Sequence, residues 1–370
     1  MFTRGPYTGQ GPNGTGDFWS ESLPGDTVWI GISGTKEPQF EVGELMHHDL
    51  DPAATPQDGK GSPANLLSCH LDAMCPTTPA IPAAARDAVG QINFVSGGAS
   101  FVCSGTLLND LDGETTVPYF LTANHCINTQ AEADSMEVVY LWQSTSCGGA
   151  LPNYNSLPRS LGGTLLNNST DNDRSFIRLR GNVPGGVGLA GWTTDPISGT
   201  AIGVHHPGGS YERISLVTEV LPTVPCAGLP LWDFHYVRMD QGIIEGGSSG
   251  SALFNPQGQV LGQLFGTCSP GMTPGCGNRG EWQAVYGEFE STYPSIRRWM
   301  EIGGTVRVNR LYVGTEEGTP TQPFNTVGEG NTLAWDGARI KIEAGSYPET
   351  PTFSKQLTIV ANGGPVTIGR

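Results

Sequence analysis

The chain has 370 residues, of which 53 are glycine and 28 are proline, and only 15% are charged. That composition favours short strands joined by turns over helical bundles, and the length leaves room for two or three domains. With 19 basic against 35 acidic side chains the net charge is −16, which excludes nucleic acid as a partner, since phosphates need a basic face.

No stretch is apolar for the roughly 18 residues that a membrane helix needs. The eight cysteines stand at 69, 75, 103, 126, 147, 226, 268 and 276 and form no Cys-x-x-Cys pair, so no zinc site is expected. Their even number reads as disulfides made in an oxidising compartment, hence a secreted protein. The opening Met1-Phe2-Thr3-Arg4-Gly5 has no apolar run behind it, so a fragment that has lost its true start is expected. No metal and no organic cofactor is implied.

Residues 1 to about 61 hold no cysteine. Thr27–Ile32 and Phe40–Leu45 read as short strands, so this part is expected to be a small β segment, either a propeptide or an accessory domain. His47-His48 reads as a surface pair with no third ligand nearby. Asp51–Pro63, with three prolines and two glycines, reads as a linker.

The next stretch, 62–302, contains every cysteine. Asp87–Val95, Ser100–Leu108 and Pro118–Leu121 predict successive strands, with a turn at Asn109–Gly113. Met136–Trp142 predicts another, and the polar Gln143–Thr170 predicts loops. Ser215–Leu221, Leu231–Val237 and Gln259–Gly266 continue the pattern, which is that of an all-β barrel. A Cys103–Cys126 bridge would pin the loop after Pro118–Leu121 to a neighbouring strand. Ser295–Met300 predicts a helix. From 303 to 370 the texture changes: Thr305–Val308, Leu311–Val313, Gly337–Tyr347, Leu357–Ala361 and Val366–Gly369 predict short strands whose spacing suggests stacked coils.

Two stretches carry chemistry. In Gly246-Gly247-Ser248-Ser249-Gly250-Ser251 a serine stands on a glycine-rich turn where the backbone can approach a substrate. The amides of Gly247 and Ser249 can then point at one spot and hold a developing oxyanion. Such a serine needs a base, and His125, in Leu121-Thr122-Ala123-Asn124-His125-Cys126, is the best partner. The base needs a buried carboxylate, and Asp173 precedes an apolar run, with Asp171 as its rival.

The order His, Asp, Ser and both motifs resemble the chymotrypsin-like serine proteases, and more closely the bacterial lysyl endopeptidase group. The resemblance covers about 64–302 and implies a chymotrypsin-like double antiparallel β-barrel. It also implies a secreted endopeptidase acting on protein or peptide substrates. Ser249 is then the nucleophile, His125 the general base and Asp173 its orienting partner. Asp173 is preferred over Asp171 because Asp173-Arg174-Ser175-Phe176-Ile177 fits the family's Asp-x-Ser/Thr frame. Alternation along the strand points Arg174 outward. Ala201–Gly208 and Arg213-Ile214-Ser215 also match the group, which makes His205 and His206 structural or site-lining.

A trypsin-type pocket has an aspartate six residues before the nucleophile, where this chain has Ile243. The group instead carries an acid after the serine strand, and Gly277-Asn278-Arg279-Gly280-Glu281 places Glu281 at that point. Glu281 is therefore the expected reader of a Lys or Arg at P1. Glu stands there for Asp, Trp282–Val285 lengthens the approach to Tyr286-Gly287, and Phe265 replaces a His. Glu245 also matches a Glu of the group but reads as too near the oxyanion side to meet P1. The group's disulfides imply Cys69–Cys268, Cys75–Cys147 and Cys103–Cys126, leaving Cys226 to pair with Cys276.

The segment 303–370 resembles the first rungs of a right-handed parallel β-helix of the pectate-lyase-like type. It implies an incomplete β-helix, truncated at Arg370, and a contact with polysaccharide or a cell surface. The rival from another class is an inactive homologue that uses the barrel as an adhesion or carbohydrate-binding scaffold.

Overall fold

The structure is a computed structural model describing residues 3–11, 16–34, 40–47, 67–220, 226, 229–268, 275–281 and 283–369. His48 and the expected linker Asp51–Pro63 lie outside the described residues. The chain divides into two compact units, one of residues 1–108 with 120–292 and one of 109–119 with 293–370.

The expected N-terminal β segment is corrected. No strand is assigned among the described residues 3–47, and Trp29 at 87% exposure and Leu45 at 81% face solvent. Their β-branched and aromatic residues suit a strand, but a strand without a partner is not stable. What ties this segment down is polar. Ser22 donates from its amide and its hydroxyl to the Glu137 carboxylate at 3.1 and 2.6 Å, and Arg4 donates to the Asn155 carbonyl at 2.8 Å.

Among the described residues the first unit has fifteen strands. They are β1 (Leu71–Asp72), β2 (Val89–Ser96), β3 (Ala99–Leu108), β4 (Tyr119–Ala123), β5 (Glu137–Tyr140), β6 (Arg159–Leu161), β7 (Gly163–Ser169) and β8 (Arg174–Leu179). Then come β9 (Gly191–Trp192), β10 (Thr200–His205), β11 (Arg213–Glu219), β12 (Phe234–Gln241), β13 (Ala252–Phe254), β14 (Gln259–Cys268) and β15 (Gln283–Glu288). One sheet has the order β6-β5-β2-β3-β4-β8-β7. The other runs β1-β11-β10-β13-β14-β15-β12, and pairing of β11 with β12 closes six of its strands into a barrel. This mainly β architecture of two curved sheets is that of a chymotrypsin-like double barrel. The closed barrel is filled by Val217, Val237, Met239, Leu253, Leu261, Leu264 and Tyr286, all at most 2% exposed. Ile243 and Ile244 belong to the same core, so the point where a trypsin-type acid would stand is apolar.

The predicted strands appear as β2, β3, β4, β5, β11, β12 and β14 with shifted ends. Strands β6 and β7 were expected as loop. Their Asn, Ser and Gly content is poor for strands, but β7 pairs antiparallel with β8, residue Thr164 opposite Arg178, and cross-strand pairing overrides propensity. Arg174 is another correction: it is buried, its guanidinium held by the side-chain oxygens of Asn167 at 2.9 Å and Asn172 at 2.8 Å. Those two amides satisfy the cation inside, which the alternation rule does not foresee.

Four disulfides lie in this unit. Cys75 pairs with Cys147 and Cys103 with Cys126, as the resemblance implied. The other two are exchanged: Cys69 pairs with Cys276 and Cys226 with Cys268, at Cα separations of 5.6 and 5.5 Å. Cys226 and Cys268 share a small core with Phe234, Tyr236 and Val285, whereas Cys276 packs beside Cys69 and Leu67. A bridge needs Cα atoms within about 7 Å, so this local packing selects the partners.

The second unit contains one parallel sheet of β16 (Thr305–Val308), β17 (Arg339–Tyr347) and β18 (Thr358–Ile368). Ile340 and Ile342 alternate inward from β17 onto Val306, Val308 and Val327. The expected strand Leu311–Val313 does not form. Leu311 and Val313 stand 71% and 93% exposed with no ladder to join. The two strands expected at Leu357–Ala361 and Val366–Gly369 are one, β18, which follows β17 through a register shift at Glu343/Gly345. The C-terminal helix is longer than expected, Phe289–Ile302.

Candidate active site

Strand β4 delivers His125. Phe120 and Leu121 are buried, and Thr122 donates its hydroxyl to the Ser104 carbonyl of β3 at 2.8 Å. The chain then turns, and the Cys103–Cys126 bridge ties the turn back to β3. His125 emerges with 41% of its side chain exposed.

Asp173 ends the turn before β8 with a backbone φ of 56°. A non-glycine residue in this left-handed region is uncommon, though Asp tolerates it better than most. Asp173 makes three hydrogen bonds to the histidine turn, two of them to His125 itself. Its Oδ2 accepts from His125 Nδ1 at 2.7 Å, its Oδ1 accepts the His125 backbone N–H at 2.9 Å, and its carbonyl accepts the Asn124 N–H at 3.0 Å. The carboxylate is buried while Asp171 is exposed. Of the two acids weighed from the sequence, the structure brings Asp173 to the histidine.

Ser249 sits on the turn between β12 and β13, half-buried. Its carbonyl accepts the Ser104 N–H at 2.8 Å. The turn is stitched to β14 from both sides, Gly250 N–H to the Leu264 carbonyl and Leu264 N–H to the Ser251 carbonyl, each 2.8 Å. Among the described residues no hydrogen bond joins the Ser249 hydroxyl to the His125 ring. Such contacts are often long in the absence of substrate and tighten when it binds.

The peptide plane fixes the two amides expected to form the oxyanion hole. In a trans peptide the C=O and the following N–H point in opposite directions. The Gly246 carbonyl is held by Gly208 N–H at 2.6 Å, so Gly247 N–H points away from Gly208. The Ser248 carbonyl is held by Ser251 N–H at 3.1 Å, so Ser249 N–H points away from Ser251. Neither the Gly247 nor the Ser249 N–H has a hydrogen-bond partner among the described residues. Gly247 has φ 91°, and a Cβ there would meet the His206 carbonyl at 2.9 Å, so only glycine fits.

Gly250 is as constrained. A Cβ at this residue, whose φ is 80°, would lie 2.4 Å from the Ser104 carbonyl and 2.7 Å from the Ala123 amide. Gly250→Ala is expected to cost about 3 kcal/mol, from overpacking and left-handed strain together. Urea unfolding of the pair of proteins checks this.

Beside Ser249 opens a cleft of ≈ 460 Å³, lined by Ile244, Glu245, Gly246, Ser249, Leu264, Gly266 and Thr267. Phe265 turns its ring edge to His125, with 5.8 Å between centroids. Glu281 is exposed at the end of a short 3-10 turn and is not among these lining residues. The carboxylate that does line the cleft is Glu245, whose burial raises its pKa. Its Oε2 is 3.7 Å from His70 Nε2. Burial, and after it Arg213, hold the His70 pKa down to about 4, so at neutral pH the imidazole beside Glu245 is uncharged. Sequence reading set Glu245 aside. The turn from Ile244 to Gly246, which brings it to the cleft wall, leaves no signature in residue order.

His205 and His206 are fully buried. Burial lowers the His206 pKa to about 4 and holds that of His205 well below the usual range. Among the described residues no group of three or more His, Cys, Asp or Glu side chains is placed to hold a metal ion. No described helix is long and apolar enough to cross a membrane.

The sequence profile of the lysyl endopeptidase C-terminal domain matches residues 65–286. A lysyl endopeptidase of Pseudomonas aeruginosa is 28% identical over 300 residues, which cover 76% of this chain and 63% of that protein. Among solved structures, the HtrA-type protease AlgW with tripeptide is 16% identical, with a TM-score of 0.41 over 61% of this chain and 66% of that one. The active form of the Rv3671c protease from M. tuberculosis is 15% identical, with a TM-score of 0.38 over 58% and 82%. The structural likenesses are too loose to add to the profile, which alone spans more than half of the sequence. On that match the chain belongs to the lysyl endopeptidase family.

Proposed function

We propose that this chain is a secreted serine endopeptidase that cleaves after Lys or Arg through an acyl-enzyme. Ser249 Oγ attacks the scissile carbonyl as its proton passes to His125 Nε2. The imidazolium then returns that proton to the leaving amine, and a water repeats the sequence to release the acid. Asp173 holds the tautomer and stabilises the imidazolium, while the Gly247 and Ser249 amides take the oxyanion. The observation that carries this reading is the double hydrogen bond of His125, on the turn after β4, to the buried carboxylate of Asp173, on the turn before β8. The four disulfides support an oxidising compartment.

For the basic P1 preference, the cleft supports Glu245 rather than Glu281. A desolvated carboxylate beside a neutral imidazole gains most from an incoming ammonium or guanidinium. Peptide esters with Lys, Arg, Leu or Glu at P1 test this. Glu245→Gln is expected to lower kcat/KM for Lys esters about 100-fold, in line with a few kcal/mol for a desolvated charge pair. Leu esters should change less than about twofold and Glu281→Gln should leave both unchanged. Loss in Glu281→Gln instead returns the role to Glu281, and equal turnover of Lys and Leu esters by the unmodified chain discards the basic preference.

The aligned parallel register of β16, β17 and β18 supports a stacked-coil reading of the C-terminal unit as the opening of a β-helix. Contact with polysaccharide rests on that reading alone.

A further inference from the structure

We infer that His205 is a positioning residue for the oxyanion hole, acting through Ser248; the inference rests on the serine-protease reading above. Strand β10 ends at His205, opposite Arg213 of β11, while Gly203 lies opposite Ser215. His205 and Ser215 therefore sit two residues apart on one face, within side-chain reach. His205 Nε2 meets Ser215 Oγ at 3.0 Å and its Nδ1 meets Ser248 Oγ at 2.9 Å. All three side chains are fully buried.

Ser248 Oγ also accepts the Glu245 backbone N–H at 3.2 Å, and Ser248 N–H returns to the Glu245 carbonyl at 3.0 Å. The turn 245–248 is thus closed on itself and anchored through one hydroxyl to a histidine on a barrel strand. Ser248 lies between Gly247 and Ser249, the two residues whose amides are proposed to take the oxyanion. A swing of its side chain rotates the peptides on either side, and with them the Gly247 and Ser249 N–H groups.

Further anchors involve the same segment. His206 N–H donates to Ser104 Oγ at 3.0 Å, Ser104 Oγ donates to the Gly247 carbonyl at 2.8 Å, and Gly208 N–H donates to the Gly246 carbonyl at 2.6 Å. The stretch His205 to Gly208 is therefore a cradle for the serine turn, and His205 is the part of it that grips a side chain.

The test uses Ser248→Ala, which deletes the link without a change of volume that threatens folding, together with His205→Asn and His205→Gln. Asn can replace Nδ1 toward Ser248; Gln can replace Nε2 toward Ser215. The readouts are kcat and KM on a peptide ester, the affinity of a peptide aldehyde that forms a tetrahedral adduct, and amide hydrogen exchange over residues 245–250. Ser248→Ala is expected to lower kcat about 10- to 100-fold with KM little changed. That is less than the 100- to 1,000-fold for outright loss of one oxyanion donor. Aldehyde affinity should fall by the same factor, and exchange at Ser248 should rise. His205→Asn should keep most of kcat and His205→Gln should lose it. Unchanged kcat, aldehyde affinity and exchange in Ser248→Ala overturn the inference. Exchange reads the turn even where no ester is hydrolysed, so failure of the protease reading, seen as no turnover by the unmodified chain, is distinct from failure of this link.

Discussion

Ser249→Ala is expected to lower kcat/KM for a peptide ester by about 10⁶-fold while the protein stays folded, the scale for losing a serine nucleophile from an intact triad. In the proposed mechanism the hydroxyl supplies the covalent bond of the acyl-enzyme. Ser248 is engaged with His205 and fully buried, and Ser251 is fully buried. The substitution leaves the backbone contacts of Ser249 in place, since they run through its carbonyl to Ser104. Thermal unfolding should therefore be unchanged within a few degrees. Burst kinetics with a nitrophenyl ester give a second readout: a burst of about one equivalent is expected from the unmodified chain and none from Ser249→Ala. Turnover that survives within tenfold would assign the chemistry to another residue.

Asp173→Asn is expected to cost about 10⁴-fold in kcat, with KM little affected. The reason lies in the two carboxylate oxygens. Oδ1 accepts the His125 backbone N–H, and Oδ2 accepts from Nδ1. An asparagine keeps its oxygen toward the backbone N–H and presents its NH₂ to the ring. The imidazole must then accept at Nδ1 and carry its proton on Nε2, the wrong tautomer to receive the serine proton. Steady-state kinetics with the same ester, alongside thermal unfolding, check the prediction. A loss under tenfold would mean that the tautomer is set by some other group.

The wider layout constrains how such variants behave. The histidine comes from the turn after β4, the acid from the turn before β8, and the serine turn is sewn to β14 by Gly250 and Leu264. Each is a loop end on a paired sheet, so substitutions at the chemical groups disturb little of the core. Gly250 is different, because its missing side chain is the space into which Ser104 and Ala123 fit.

Much of the candidate site was legible in residue order. Thr122-Ala123-Asn124-His125-Cys126 and Gly247-Ser248-Ser249-Gly250-Ser251 are local motifs, in which neighbouring residues must take one backbone course for the chemistry to work. The succession of short apolar runs between polar turns marked most of the strands that build the barrel, and the absence of an acid at Ile243 followed from counting back from Ser249. The strands β6 and β7 escaped because pairing, not composition, makes them. Arg174 went inward because Asn167 and Asn172 wait there, and the exchanged partners of Cys69 and Cys226 depended on which loop ends meet. The cleft wall depended on the same thing: Glu245 faces it and Glu281 does not. Residue order by itself pointed to the candidate groups His125, Asp173 and Ser249, because the motifs that mark them are local. Only the tertiary structure decided the third-dimension neighbours, the Asp173 conformation, the disulfide partners and the His205 grip on Ser248, because those arise from segments far apart in sequence competing for the same space.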